Sequence, residues 1–166
     1  MLTWNPSKLT TKGKALLAKA QAGKCTIKIT KAQTGSGQYS SGEATDTRTS
    51  LKTPVQTLPI HSKEIQNGST LVLKVAITNK TSDTDVLKSG YEIREFGIFA
   101  QDPDDGEILY SIATASTSDY MPAYNGVIPS VISMSYYLEV ANASSVTIVT
   151  AGAWHFRATW KRWQTE

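Results

Sequence analysis

The sequence predicts a mainly β domain of the α+β type, an antiparallel sandwich-like arrangement with one N-terminal helix and a short C-terminal aromatic tail. Three observations lead there. Thr and Ser make up 38 of the 166 residues, a composition that leans towards strands and away from an all-helical bundle. Ala and Leu are concentrated in one short stretch near the start. Most other apolar segments alternate at a period of two. The length suits one domain with its own core. Residues 1–152 are expected to form that domain, and 153–166 a basic, Trp-rich tail.

The helix is predicted over about residues 10–22, within TTKGKALLAKAQAGK. Gly13, Leu16, Leu17 and Ala20 share one face at 3.6 residues per turn. Thr10 or Thr11 can cap its start, and Gly23 can end it. With only a few Ala and Leu on its apolar stripe, the helix needs a larger partner to be stable.

The period then changes to two, with Cys25, Ile27 and Ile29 alternating with Thr26, Lys28 and Thr30. Residues 34–46, TGSGQYSSGEATD, read as a surface loop. Pro54 and Pro59 make the next stretch an extended or edge segment. A clear strand follows, with Leu71, Leu73, Val75 and Ile77 on one face. YEIREFGIFA, DPDDG and EILYSIATA form a hairpin, and 116–129 a loop. VISMSYYLEV and SVTIVT, joined by ANAS, complete a second antiparallel pair, for six or seven strands in all.

The formal net charge of +3 conceals an asymmetry. Seven lysines, Lys8 to Lys31, precede the first acidic residue, Glu43, so the first 42 residues carry +7. From Asp83 to Asp119, nine acidic residues accompany Lys88 and Arg94, a net of −7. Lysines without clustered Arg or interleaved aromatics do not make a nucleic-acid footprint. Opposed blocks suit head-to-tail docking in an assembly, where complementary charge fixes register. Lys12, Lys14 and Lys19, off the apolar face of the helix, are the candidate docking residues.

Other classes find little support. One Cys, Cys25, excludes an intrachain disulfide, and no window reaches the roughly 18 apolar residues of a membrane span. The N-terminus has no apolar signal core, so no export signal is expected. His61 and His155 lack the neighbours of a triad or zinc site, and no phosphate-binding, zinc-protease or serine-hydrolase motif occurs. Asp102, Asp104, Asp105 and Glu107 cluster as calcium ligands do, but Pro103 and the adjacent Asp pair break the spacing and favour a hairpin turn. Glycoside hydrolysis needs a paired-carboxylate cleft, which Glu92, Glu95, Glu107 and Glu139 do not announce. Glu95 stands apart, because a carboxylate between Ile93 and Phe96 must point outward or find a partner. No cofactor or metal is expected.

The tail places Phe156, Trp160 and Trp163 at i, i+4 and i+7, with Arg157, Lys161 and Arg162 behind them and Trp154 ahead. It reads as a segment packed on its own sheet or as an anchor in a neighbouring subunit, since Trp and Arg dominate interface hot spots. It is too short and too lightly apolar to favour a membrane-surface helix.

Thr11, Gly13 and Ala15 open the helix, Gly35 and Gly37 lie in the loop after the first long strand, and Glu95, Gly97, Ile98 and Phe99 precede the Asp105–Gly106 turn. In this order, across about residues 9 to 152, the chain resembles the N-terminal attachment region of phage tail fibre or tail-collar fibre proteins. The resemblance implies a non-enzymatic structural role in a phage tail or a phage-tail-like bacteriocin. There such a region attaches a fibre to the baseplate of a contractile particle, commonly as a trimer, after assembly in the bacterial cytoplasm. Its expected partners are baseplate or fibre proteins and further copies of itself, with no nucleic acid and no membrane insertion. The chain departs from a complete fibre in carrying no long repetitive shaft, so it is expected to be either a short attachment or baseplate component or a protein whose distal part is carried by another chain. Trp154, Phe156, Trp160 and Trp163 are the expected contact anchors. The alternative is a carbohydrate-binding module for host-surface recognition, in which Tyr39, Tyr120, Tyr124 or the tail Trp residues stack on sugars.

Overall fold

The computed structural model describes residues 1–68, 70–140 and 146–148. The elements run β1 (Thr3–Trp4), β2 (Lys8–Leu9), α1 (Thr11–Gln21), β3 (Lys28–Gly35), β4 (Pro54–Leu58), β5 (Ser62–Gln66), β6 (Thr70–Thr78), β7 (Tyr91–Asp102), β8 (Gly106–Met121), β9 (Val131–Glu139) and β10 (Thr147–Ile148). The domain is mainly β with a single helix among the described residues.

The strands form two sheets. The larger has the order β1-β8-β7-β3-β10, with β2 also on β8 and β4 also on β3; the smaller is β5-β6-β9. Among the described residues all ladders but one are antiparallel. The exception corrects the expected second hairpin: β9 pairs with β6, and β10 pairs with β3 in parallel. The Pro-punctuated segment is an edge strand, β4, paired on β3 alone. The expected loop beginning at Ser116 starts only after Met121, because β8 continues to that residue.

One core joins the sheets. Leu71, Leu73, Val75 and Ile77 of β6 meet Ile93, Phe96 and Ile98 of β7 and Tyr110 of β8, all buried. Phe96 lies 5.3 Å from Tyr136 of β9, centroid to centroid. The Tyr136 and Ser111 hydroxyls are hydrogen-bonded at 2.7 Å across the layers, so the buried phenol is paired. Burial raises the Tyr136 pKa against that hydrogen bond. A second link runs from Thr34 through the Tyr91 hydroxyl to Gln56, whose amide donates to Thr78 O at 2.9 Å. Burial pushes the Tyr91 phenol up to about 12.

The larger sheet is covered on its second face as well. Leu51 packs with Phe99, Leu109 and Ile112, and Tyr39 lies against this cluster. The 36–53 segment therefore belongs to the packed structure.

Candidate functional site

Two segments outside the strands shape the surface of the larger sheet, and the motif residues hold both. The first is the 36–53 loop. It has no ladder of its own, so its backbone donors need another acceptor. Glu95 on β7, 0% exposed, supplies it. Its Oε1 accepts from the Gly37 and Thr53 amides at 3.1 and 2.6 Å. Its Oε2 accepts from the Lys52 amide at 2.8 Å and the Tyr39 hydroxyl at 2.5 Å. Four donors thus satisfy a carboxylate that would otherwise be costly to bury. A side chain at Gly37 would place its Cβ 2.6 Å from Glu95 Oε1, so glycine is required by the approach of the carboxylate. Burial first, and then the bond to Glu95, raise the Tyr39 pKa.

The second segment is α1. Thr10 is its N-cap, accepting from the Gly13 amide at 2.9 Å while its hydroxyl donates to Leu109 O on β8. Its own amide donates to Tyr110 O at 3.0 Å. The helix consequently lies so close to β8 that a Cβ on Gly13 would stand 2.0 Å from Tyr110 O.

At the other end, Lys19 pairs with Asp102 and Asp104, each at 2.8 Å. Asp102 also accepts from the Asp104 and Asp105 amides at 2.8 and 3.2 Å, and Gly106 closes the turn at φ 78°, a left-handed value that suits glycine. Burial works to raise the Asp102 pKa. The Lys19 hydrogen bond and the two turn amides outweigh it and hold the carboxyl below its ordinary value. The same hydrogen bonds to Asp102 and Asp104 raise Lys19.

These contacts revise the charge reading. Lys12 pairs with Asp105 at 3.0 Å and Lys31 with Glu107 at 2.7 Å. The expected meeting of opposed blocks between molecules therefore occurs, for Lys12 and Lys19, within one chain. Lys14 is exposed and has no ion pair among the described residues.

Gly97 and Phe99 line the second-face cluster, where a Cβ on Gly97 would approach Leu109 and Leu51 to 2.7 and 3.0 Å. Gly13, Glu95, Gly97, Phe99 and Gly106 are thus placed at packing and turn positions. Trp154, Phe156, Arg157, Trp160, Lys161, Arg162 and Trp163 lie outside the described residues.

The tyrosines proposed as sugar platforms are largely occupied. Lys52 and Arg48 sit 4.9 and 5.7 Å from the Tyr39 ring centroid, and Lys80 sits 5.3 Å from that of Tyr124. Tyr120 remains 55% exposed.

Next to the Glu95 node an open cleft of about 690 Å³ runs between the 38–45 loop and β8, with Asn5, Lys8, Arg94, Thr114 and Ser118 on its walls. The sequence does not mark Arg94 as a site residue, because a lone arginine beside a glutamate carries no motif. Among the described residues no group of three or more His, Cys, Asp and Glu is placed to hold a metal ion. No helix among them is long and apolar enough to cross a membrane.

The described residues thus form a mainly β domain whose motif residues serve packing and turns. Compared with known families, the chain matches "Phage tail-collar fibre protein, N-terminal" over residues 5–163. It belongs to that family, and so to the structural components of phage tails. No curated protein matches the chain, and no solved structure does.

Proposed function

We propose that the chain attaches a fibre to the baseplate of a phage tail or related contractile particle through protein–protein contacts, without catalysis or a cofactor. The family match across residues 5–163 carries this reading. It is supported by the placement of Gly13, Glu95, Gly97, Phe99 and Gly106 in the interior and turns, which leaves the working contacts to the surface. The chain acts as a homo-oligomer, with a trimer favoured. Trp154, Phe156, Trp160 and Trp163, with Arg157, Lys161 and Arg162, are its protein-contact anchors, and Lys14 is the member of the helical lysine set left for docking. The carbohydrate-binding alternative loses support because cations cover the rings of Tyr39 and Tyr124.

Particles produced without this chain, viewed by electron microscopy, test the reading. Loss of fibres from otherwise assembled tails is expected. Fully fibred particles that lack the chain would contradict it. Ending the protein at Gly152 is expected to reduce oligomer mass in light scattering or to release the partner; if neither changes, the tail is not the anchor.

A further inference from the structure

Opposite Arg94 the longest hairpin of the fold is interrupted. Ile93 pairs with Asp119, yet Glu95 pairs with Thr114. One residue of β7 therefore faces the 115–118 stretch of β8, part of which turns to β1 through the pairs Thr3–Thr117 and Trp4–Ala115. Bulges of this kind redirect side chains and open space beside a strand. Here the space is the 690 Å³ cleft.

The half-buried Arg94 side chain has no hydrogen bond or ion pair among the described residues, and the same holds for the Lys8 ammonium. Glu43, the one acidic residue on the cleft wall among the described residues, is already engaged by Lys52 at 2.8 Å. The cleft is therefore cationic, and Thr114, Ser118 and the serines of the 38–45 loop add hydroxyls. Among the described residues its one aromatic wall residue is Tyr39, whose hydroxyl is bonded to Glu95 and whose ring lies under Arg48 and Lys52.

We propose that this cleft receives an acidic, extended segment of a neighbouring tail protein, with Arg94 binding an Asp or Glu carboxylate in bidentate fashion and Lys8 binding a second. The proposal rests on the attachment role above and names one of its contact surfaces. The planar guanidinium suits a carboxylate, and a polar, open cleft suits a peptide better than a small apolar ligand.

Titration of the full chain with the peptide acetyl-Gly-Glu-Asp-Glu-Gly-amide, followed by amide NMR, tests it. Shifts centred on Lys8, Arg94 and Ser118 are expected. Arg94→Gln should weaken them on the order of tenfold, Lys8→Glu should weaken them too, and added salt should do the same. The Gln/Asn counterpart peptide should not bind. Absence of binding at millimolar peptide, equal binding of the neutral peptide, or binding of glucuronate alone would each overturn the proposal. A second arm separates this from the attachment role: if Arg94→Glu protein enters particles as well as the unaltered chain, the cleft proposal fails while attachment stands. If the unaltered chain never enters particles, attachment fails and the peptide titration still decides the cleft.

Discussion

The 36–53 loop and helix α1 are both fastened to the larger sheet, but by different chemistry. The loop hangs on one fully buried carboxylate whose four donors are three backbone amides and a phenol. The helix is held by close backbone contact at Gly13 and by a charge pair, Lys19–Asp102, at its far end. In the loop, neutral donors surround the charge and solvent salt has little access to it. At the helix the buried Asp102 carboxylate, 1% exposed, meets a Lys19 side chain that is 26% exposed, so salt and acid reach the pair from the lysine side. A buried acceptor with neutral donors thus fixes a long segment without regular structure, whereas the pair at the helix end, buried on the Asp102 side and open on the Lys19 side, reinforces a seam already set by packing.

The largest difference between the two should come from removing the buried acceptor. Glu95→Ala leaves several donors unsatisfied at once and should cost about 3 kcal/mol or more in urea unfolding, with the loss concentrated in the 36–53 loop. Gly13→Ala should follow. Helix propensity alone would make it stabilising by about 1 kcal/mol; the 2.0 Å approach to Tyr110 O reverses the sign, to a loss of roughly 1–3 kcal/mol.

Asp102→Asn should cost about 1 kcal/mol and remove an acid-dependent component of stability. Because the folded Asp102 pKa lies below the ordinary value of 3.8, its contribution is complete above that value. It declines as pH falls towards the lowered value, and is gone below it. The difference in unfolding midpoint between parent and variant should therefore shrink as the pH is lowered below 3.8. The smallest effect belongs to Lys12→Ala. Its pair with Asp105 is nearly half exposed on both sides, so the change should stay at about 0.5 kcal/mol or less and vanish at high salt.

The contrast also explains what could be read in the sequence. Helix α1 and strand β6 carry their period in neighbouring residues, and Tyr91 to Met121 carry an obvious turn, DPDDG. Glu95 was legible as a carboxylate needing a partner. Its donors, however, come from Gly37, Tyr39, Lys52 and Thr53, more than 40 residues upstream in a segment with no period. Only the folded chain brings them together. Strand β8 outran its expected end because residues 114–120 are mostly polar and part-exposed or exposed, which removes the alternation that marks a half-buried strand. The parallel seat of β10 on β3 leaves no local signal, since it is a pairing between distant parts of the chain. Arg94 carries no sequence signal for a similar reason, because its cleft depends on a register break in the opposite strand.

Amide hydrogen exchange gives the most direct test of the claim that Glu95 organises the loop over the sheet. The Gly37, Lys52 and Thr53 amides should exchange far more slowly than those of Ser41 and Gly42 in the same segment. In Glu95→Ala, which leaves no side-chain acceptor, they should lose that protection, while the β6 and β9 amides keep theirs. Equal, fast exchange at all five positions in the unaltered chain, or unchanged protection in Glu95→Ala, would contradict the account.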